Sequence, residues 1–375
     1  MNNRKLKASG KTVLVCPLDW GLGHATRCVP LIYLLVKTGC RVIIATEGRA
    51  AQFLKEEFPD LQHQKFPSYH FFYPRKSAMV WSILLSSPLI LYGIIREYRL
   101  VKKLAQKHGV DVIIADNRFV CRSPGVLNVY ISHVIKIQFS KPLRWLEPML
   151  HSLHRMAIGG FDMLWIPDFE QAPGLAGSLS HDIRVSVPVS YLGPLSRFSI
   201  SSPHPITENE QCKDCDLLVI ISGPEPQRTI FEEIIIKQAL GSPMKVVILR
   251  GLPGGSSEPV INHNLLIYNH LPTPLLHRMI LQAPLIISRS GYTTIMDLAA
   301  LHKRAVFVPT PGQPEQEYLA DVMKERQIAY CMNQNEFNLQ TALRESEKYT
   351  GFKPYSAAGC IDNAISQLFE PEENI

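Results

Sequence analysis

The chain has 375 residues, is 46% hydrophobic and 19% charged, and carries a formal net charge of +6. That length exceeds one ordinary domain and suits two of about 150–200 residues, and the composition excludes a disordered or collagenous chain. The basic excess is mild and has no concentrated patch, which argues against nucleic acid as a partner and is compatible with anionic substrates or anionic lipid.

In chain order, Met1–Lys11 is basic and polar, but the apolar run Val13–Pro17 is too short for the core of a secretion signal. Thr12–Cys16 reads as a buried strand, Thr26–Lys37 as a helix, Arg41–Thr46 as a strand and Arg49–Phe58 as a helix. Ala78–Ile95 then runs 18 residues without a charge, bounded by Arg75, Lys76 and Arg96, the lower limit for a spanning helix. Pro88 in its middle predicts a break or kink and hence a buried helix pair. A helix lying in a membrane interface is the alternative, and true spanning comes last. Glu97–Lys107 reads as helical, and Val110–Ala115, Val126–Ile131 and Met163–Ile166 as strands. A Ser- and Pro-rich stretch at 199–212 reads as a linker.

The pattern restarts with a strand at Leu217–Ser222, a helix at Thr229–Gln238, and strands at Lys245–Leu249 and Leu265–Tyr268. Pro274–Leu281 reads as a helix, Leu285–Ile287 as a strand, Thr294–Leu301 as a helix, Ala305–Val308 as a strand and Glu315–Arg326 as a helix. Alternating short strands and longer helices predict an α/β fold of two Rossmann-like, doubly wound domains, 1–198 and 213–355, with a C-terminal helix or tail at 356–375. Ligands of such sheets bind at the carboxyl ends of the strands, in a cleft. Most of the eight cysteines fall in apolar patterns, as reduced thiols of a cytosolic protein do. Cys212 and Cys215 have metal-like spacing, but no second pair follows, so no metal is expected.

Ile286 to Ala300 is a strand, a glycine turn and a helix start. Gly291 allows a close backbone approach, and the free amides and dipole of the following helix suit a diphosphate. Ser290, Thr293 and Thr294 add hydroxyls, and Asp297 can accept from ribose hydroxyls; Thr294 to Asp297 is equally close to a capping box. After the next strand, Pro311 to Tyr318 brings Gln313, Glu315, Gln316 and Glu317 to a helix start that Pro314 favours. The acids there complement the helix dipole, whereas the amide of Gln316 both donates and accepts, as sugar hydroxyls require.

Ser288 to Gly291, Asp297 to Ala300 and Pro309 to Gln316 resemble the donor-binding region of MurG-type N-acetylglucosaminyltransferases and their relatives, with the match looking closest to an uncharacterised branch. The resemblance implies the GT-B fold, a ribose contact at Asp297 and a donor-sugar contact at Gln316. Glu317 stands where the family usually has a second amide, which leaves the sugar open.

Leu18 to Arg27 follows the first strand and contains Gly21, Gly23, His24 and Arg27. Gly21-Leu-Gly23 lacks the third glycine of a dinucleotide fingerprint. His24 reads as a capping or satisfied histidine, or as a general base on an acceptor hydroxyl. The segment resembles the glycine loop and histidine that open the family's acceptor domain, which favours the base. Arg27 suits a phosphate or a solvated helix face. Ser222 to Thr229 supplies Gly223 and Arg228, a diphosphate loop and clamp or a rigid proline turn. Arg250 and Gly251 can frame the base of a nucleotide. Asp116, Asn117, Arg118 and His133 line an acceptor pocket or serve as turn residues.

The expected activity is transfer of a sugar from a nucleoside-diphosphate donor, UDP-N-acetylglucosamine or a related UDP-hexose, to an acceptor hydroxyl. Helix dipoles and Arg228 would stabilise the leaving diphosphate without a metal or other cofactor, and the resemblance implies inversion. The first half would hold a glycan or lipid-linked acceptor, with peripheral membrane contact through 78–95 at the inner face of a cytoplasmic location. A UDP-sugar 2-epimerase or hydrolase using Glu225, and a non-catalytic nucleotide-sugar sensor, are the alternatives.

Overall fold

A computed structural model describes residues 9–67, 79–136, 147–181, 184–199, 215–254, 258–355 and 359–369. In the first half, strands β1 (Thr12–Pro17), β2 (Arg41–Thr46), β3 (Gln62–Lys65), β4 (Val112–Asp116), β5 (Leu127–Ile131), β6 (Met163–Ile166) and β7 (Val189–Tyr191) pair in parallel in the order β3-β2-β1-β4-β5-β6-β7. Such strands are covered on both faces and so read as near-continuous apolar runs, as Val13–Cys16 and Val112–Ala115 do. Helices α1 (Leu22–Lys37), α2 (Gly48–Glu57), α3 (Met79–His108) and α4 (Glu147–Ile158) accompany them.

The second half repeats the scheme. It runs β8 (Leu217–Ile220), α5 (Gln227–Ala239), β9 (Val246–Leu249), β10 (Val260–Asn262), β11 (Leu265–Tyr268), α6 (Thr273–Gln282) and β12 (Ile286–Ser288). It continues through α7 (Tyr292–Ala300), β13 (Ala305–Phe307), α8 (Pro314–Glu325), β14 (Tyr330–Cys331), α9 (Leu339–Ser346) and α10 (Cys360–Gln367). The order is β10-β11-β9-β8-β12-β13-β14, with β10 antiparallel. The GT-B expectation of two doubly wound sheets is thus met. Each sheet reverses direction once, between β1 and β4 and between β8 and β12, and these reversals open the ligand crevices of doubly wound folds.

One apolar cluster runs through both halves, joining Leu31 and Leu35 of α1 to Ile295 and Met296 of α7 and to Ile365 of α10. The contact between α1 and α7 is close: a Cβ on Gly23 would lie 3.0 Å from Thr293 Oγ1, whose hydroxyl donates to the Gly23 carbonyl at 3.1 Å. A second contact comes from the loop after β6. Asp168 is buried and accepts from the amides of Phe169, Leu175 and Ala176 and from Ser180 Oγ, which folds the loop back on itself. That loop meets α8, where the Ser178 amide donates to Tyr318 Oη at 2.8 Å.

Several expectations change. α3 is one 30-residue helix through Pro88, not a broken pair; proline loses one hydrogen bond, but its φ is already helical. Ala78 and the linker from 200 to 212 lie outside the described residues. Among the described residues no helix is long and apolar enough to cross a membrane. β3 escaped the pattern because its sequence, Gln-His-Gln-Lys, is polar and lies at a sheet edge.

Asn117 and Arg118 take up the turn and core positions that were the alternative to an acceptor pocket. Asn117 takes a left-handed φ of 54° and accepts from Tyr130 Oη. Arg118 is fully buried, donates to the carbonyls of Pro17 and Pro67, and pairs with buried Glu97 at 3.3 Å. Breaking a buried pair strands the partner's charge. Arg118→Met should therefore cost about 3–5 kcal/mol, and adding Glu97→Gln should recover most of it, as read from urea unfolding of the two variants.

Candidate active site between the two sheets

β4 ends on Asp116, whose carboxylate is fully buried at the reversal of the first sheet. Gly21, at φ 135° and ψ 175°, sits at the N-cap and starts α1 four residues earlier than the pattern suggested. His24 and Arg27 thereby fall in the first two turns, three residues apart on one face. Arg27 Nε donates to Asp116 Oδ2 at 2.7 Å, and its Nη2 to Oδ1. His24 Nδ1 lies 3.0 Å from Asp116 Oδ1 and 2.9 Å from Arg27 Nη2. Burial alone would raise the Asp116 carboxyl, but Arg27 and His24 hold it well below the ordinary range. Burial, then the Arg27 cation, push His24 below its usual value despite Asp116, so His24 is neutral near pH 7.

The network crosses to the second half. Arg27 Nη1 lies 3.1 Å from His133 Nδ1, and His133 Nε2 lies 2.9 Å from Glu315 Oε1 on α8. His133 stacks on Tyr292 of α7 with ring centroids 4.1 Å apart, and Tyr292 Oη donates to the Pro167 carbonyl. Burial would raise Glu315, but His133, His24 and Arg27 outweigh it and keep the carboxylate ionised. Sequence reading saw Glu315 as a dipole complement; its place just before Gln316 was the available signal. Of the first-half residues singled out, Asp116, His24, Arg27 and His133 come together.

In the second half, the ends of β8, β12 and β13 bring Gly223, Ser290, Gly291 and Thr310 to the sheet reversal. Gly223 has φ 110°, and a Cβ there would lie 3.4 Å from Thr310 Oγ1, a buried hydroxyl with no partner among the described residues. Gly291 is the N-cap of α7 with no side-chain cap, so the capping box read at Thr294 to Asp297 does not form. The Arg289 guanidinium is fully buried. It donates to the carbonyls of Val308, Pro309 and Gln227 and to Gln334 Oε1, and lies over the Phe231 ring. Burial lowers its pKa to about 10, which leaves it a cation.

Other assignments meet internal partners. Arg228, expected as a diphosphate clamp, has nitrogens that engage Glu225 at 2.6 Å, Glu232 at 2.9 Å and Thr229 at 2.9 Å. Arg250 pairs with the same Glu232 and with Asn269. Ser290 Oγ donates to the Gln316 carbonyl, Gln316 Oε1 accepts from the Thr310 amide, and Gln316 Nε2 donates to Gln313 Oε1. Glu317 Oε1 accepts from the Gly312 amide.

Asp297 is buried within α7 and accepts from Ser196 Oγ at 2.6 Å, on the segment that leaves the first half. Burial raises its pKa to about 6, against the opposing pull of Arg197 and Ser196. With an unfolded value near 3.9, the folded state binds the extra proton between these limits. Its contribution is therefore complete below about pH 4 and lost as pH rises through 6, a loss of about 3 kcal/mol. Asp297→Asn should keep the Ser196 bond and remove that loss. Urea unfolding at pH 4 and pH 8 should show the variant gaining on the parent only at the higher pH.

Comparisons with known proteins agree with this architecture. Residues 262–357 match the glycosyltransferase family 28 C-terminal domain. An uncharacterized glycosyltransferase of Methanopyrus kandleri is 20% identical over 317 residues, covering 81% of this chain and 87% of its own. Among solved structures, the glycotransferase of kitacinnamycin has a TM-score of 0.63 at 13% identity, covering 96% of this chain and all of its own. MurG of Acinetobacter baumannii gives 0.53 at 15%, covering 96% and 99%. UGT89C1 of Arabidopsis thaliana, solved with UDP-L-rhamnose, gives 0.58 at 13% with the same coverage. The chain is thus an enzyme of the glycosyltransferase class on a GT-B fold, and its residues 262–357 are similar to the family 28 C-terminal domain.

Proposed function

We propose that this enzyme transfers a hexose, N-acetylglucosamine or a close relative, from a UDP-linked donor to an acceptor hydroxyl held by the first half. The observation that carries the reading is His24, fixed through Nδ1 by Asp116 and Arg27 at one sheet reversal, next to α7, which starts at the other. A histidine held in this way handles a proton through its other nitrogen. Attack by the acceptor oxygen opposite the departing diphosphate inverts the anomeric carbon.

The leaving group needs positive charge, and three features supply it without a metal. The N-terminal amides of α7 are uncapped by any side chain. Gly223 lets the β8 loop approach closely, beside the Thr310 hydroxyl, which has no partner among the described residues. Arg289 is a buried cation whose bonds go to neutral oxygens, so its field remains for an anionic ligand. Asp297 is the ribose acceptor in this reading and Gln316 the sugar contact, each exchanging its internal bond for one to the donor. Glu225 is poorly suited to epimerisation, since Arg228 and Thr229 occupy both of its carboxylate oxygens and lower its basicity.

A lipid-linked acceptor at the inner membrane face fits the outer surface of α4, where Met149, Leu153 and Met156 are exposed one helical turn apart. Anionic liposomes should co-sediment with the protein, and Met156→Glu should weaken that binding.

A thermal-shift panel of nucleotides and nucleotide sugars should show stabilisation by UDP and a UDP-sugar. His24→Asn should lower transfer by about 10²–10⁴-fold with donor binding unchanged. Absence of binding to every nucleotide sugar would sink the reading.

A further inference from the structure

Arg27 touches Asp116, His24 and His133 at once, and the donor count of its guanidinium carries information about both imidazoles. A guanidinium only donates. Its Nη1 contact with His133 Nδ1 therefore makes that nitrogen an acceptor and puts the His133 proton on Nε2, where it donates to Glu315. At His24 the same count exposes a contest. Nδ1 faces Arg27 Nη2 at 2.9 Å, which requires a lone pair, and Asp116 Oδ1 at 3.0 Å, which requires a proton.

Asp116 already accepts from Nε and Nη2 of Arg27 and lies 3.5 Å from the Cys28 thiol. A proton on His24 Nδ1 would set a buried Nη2 hydrogen against an N–H and leave that hydrogen without an acceptor. A lone pair there gives both Nη2 hydrogens an acceptor, one on Asp116 Oδ1 and one on His24 Nδ1. We propose that Arg27 is a positioning residue that holds resting His24 neutral with its proton on Nε2, the nitrogen with no partner among the described residues.

In that tautomer His24 presents a donor, not a base. Taking a hydroxyl proton first requires a change of tautomer, in which the Nε2 proton passes to solvent water and Nδ1 takes one from water, the new Nδ1–H then donating a hydrogen bond to Asp116. The hydroxyl proton then goes to Nε2, and the imidazolium is stabilised by Asp116 and opposed by Arg27. Arg27 thus sets how readily the base form appears. The charged and titratable groups around this ring are Arg27 and Cys28 on α1, Asp116 on β4, His133 after β5, Tyr292 on α7 and Glu315 on α8. The catalytic meaning rests on the transfer reading above, whereas the test reads the imidazole itself.

Long-range ¹H–¹⁵N spectra of the labelled full chain report which nitrogen of each histidine is protonated, with His24 identified by its loss in His24→Gln. The expected parent spectrum at pH 7.5 has Nε2 protonated, and the ring titrates below about 6.5. Arg27→Gln should move the proton to Nδ1 and raise the midpoint by about one pH unit or more. A parent spectrum with the proton on Nδ1 overturns the proposal whether or not the variant folds, and so does a midpoint unmoved in a folded Arg27→Gln. A protein that binds no nucleotide sugar yet shows the Nε2 tautomer defeats the transfer reading alone.

Discussion

A carboxylate sealed at the end of β4 is the constraint from which the rest of the cleft follows. Removing Asp116 from water costs several kcal/mol unless a cation and hydrogen bonds compensate. The element nearest to that point is the start of α1, so compensation has to come from its first turns. Gly21 starts the helix early enough for Arg27 to reach the carboxylate side-on, and the spacing of three residues carries His24 to the same place. Neutralising Asp116 and orienting His24 are therefore one structural act.

The same ion pair explains how the halves meet. Arg27 has a hydrogen left over, and His133 accepts it. That fixes the outward nitrogen of His133 as a donor, and the acceptor it finds is Glu315, on the other sheet's helix. Stacking on Tyr292 closes the contact from α7. The donor-side helices are thus in register with the base cluster through one carboxylate and one aromatic face. Thr293 against the Gly23 carbonyl sets how close they come.

Much of this was legible in the sequence, because doubly wound sheets write themselves as apolar runs separated by helical periods. His24, Arg27, Asp116 and His133 were each visible at a strand end. Their joining was not, since His24 and Asp116 are 92 residues apart and nothing local couples them. The partners of Arg228 were hidden because a glycine loop followed by an arginine looks the same whether or not a glutamate four residues on pairs with it, as Glu232 does here. Arg289 hid in the opposite way: an arginine between two serines looks exposed, yet it is a buried tie among three loops. Pro88 misled for a third reason, as its rule describes a cost and not a prohibition.

The two crevices are prepared differently, and that difference bears on selectivity. On the donor side Ser290, Gln316 and Asp297 already hold internal hydrogen bonds. A donor gains from them only the difference between its own bonds and those it replaces, typically about 1 kcal/mol each. The unspent interactions are the Thr310 hydroxyl, the α7 amides and the Arg289 charge, all suited to a diphosphate. If the donor binds as proposed, affinity should reside in the diphosphate, while the sugar is selected by exchange, each wrong hydroxyl failing to repay a bond it displaces. On the proposed reading, such a site discriminates among sugars without binding any of them strongly, and the chemistry falls to His24, held through Nδ1 by Asp116 and Arg27.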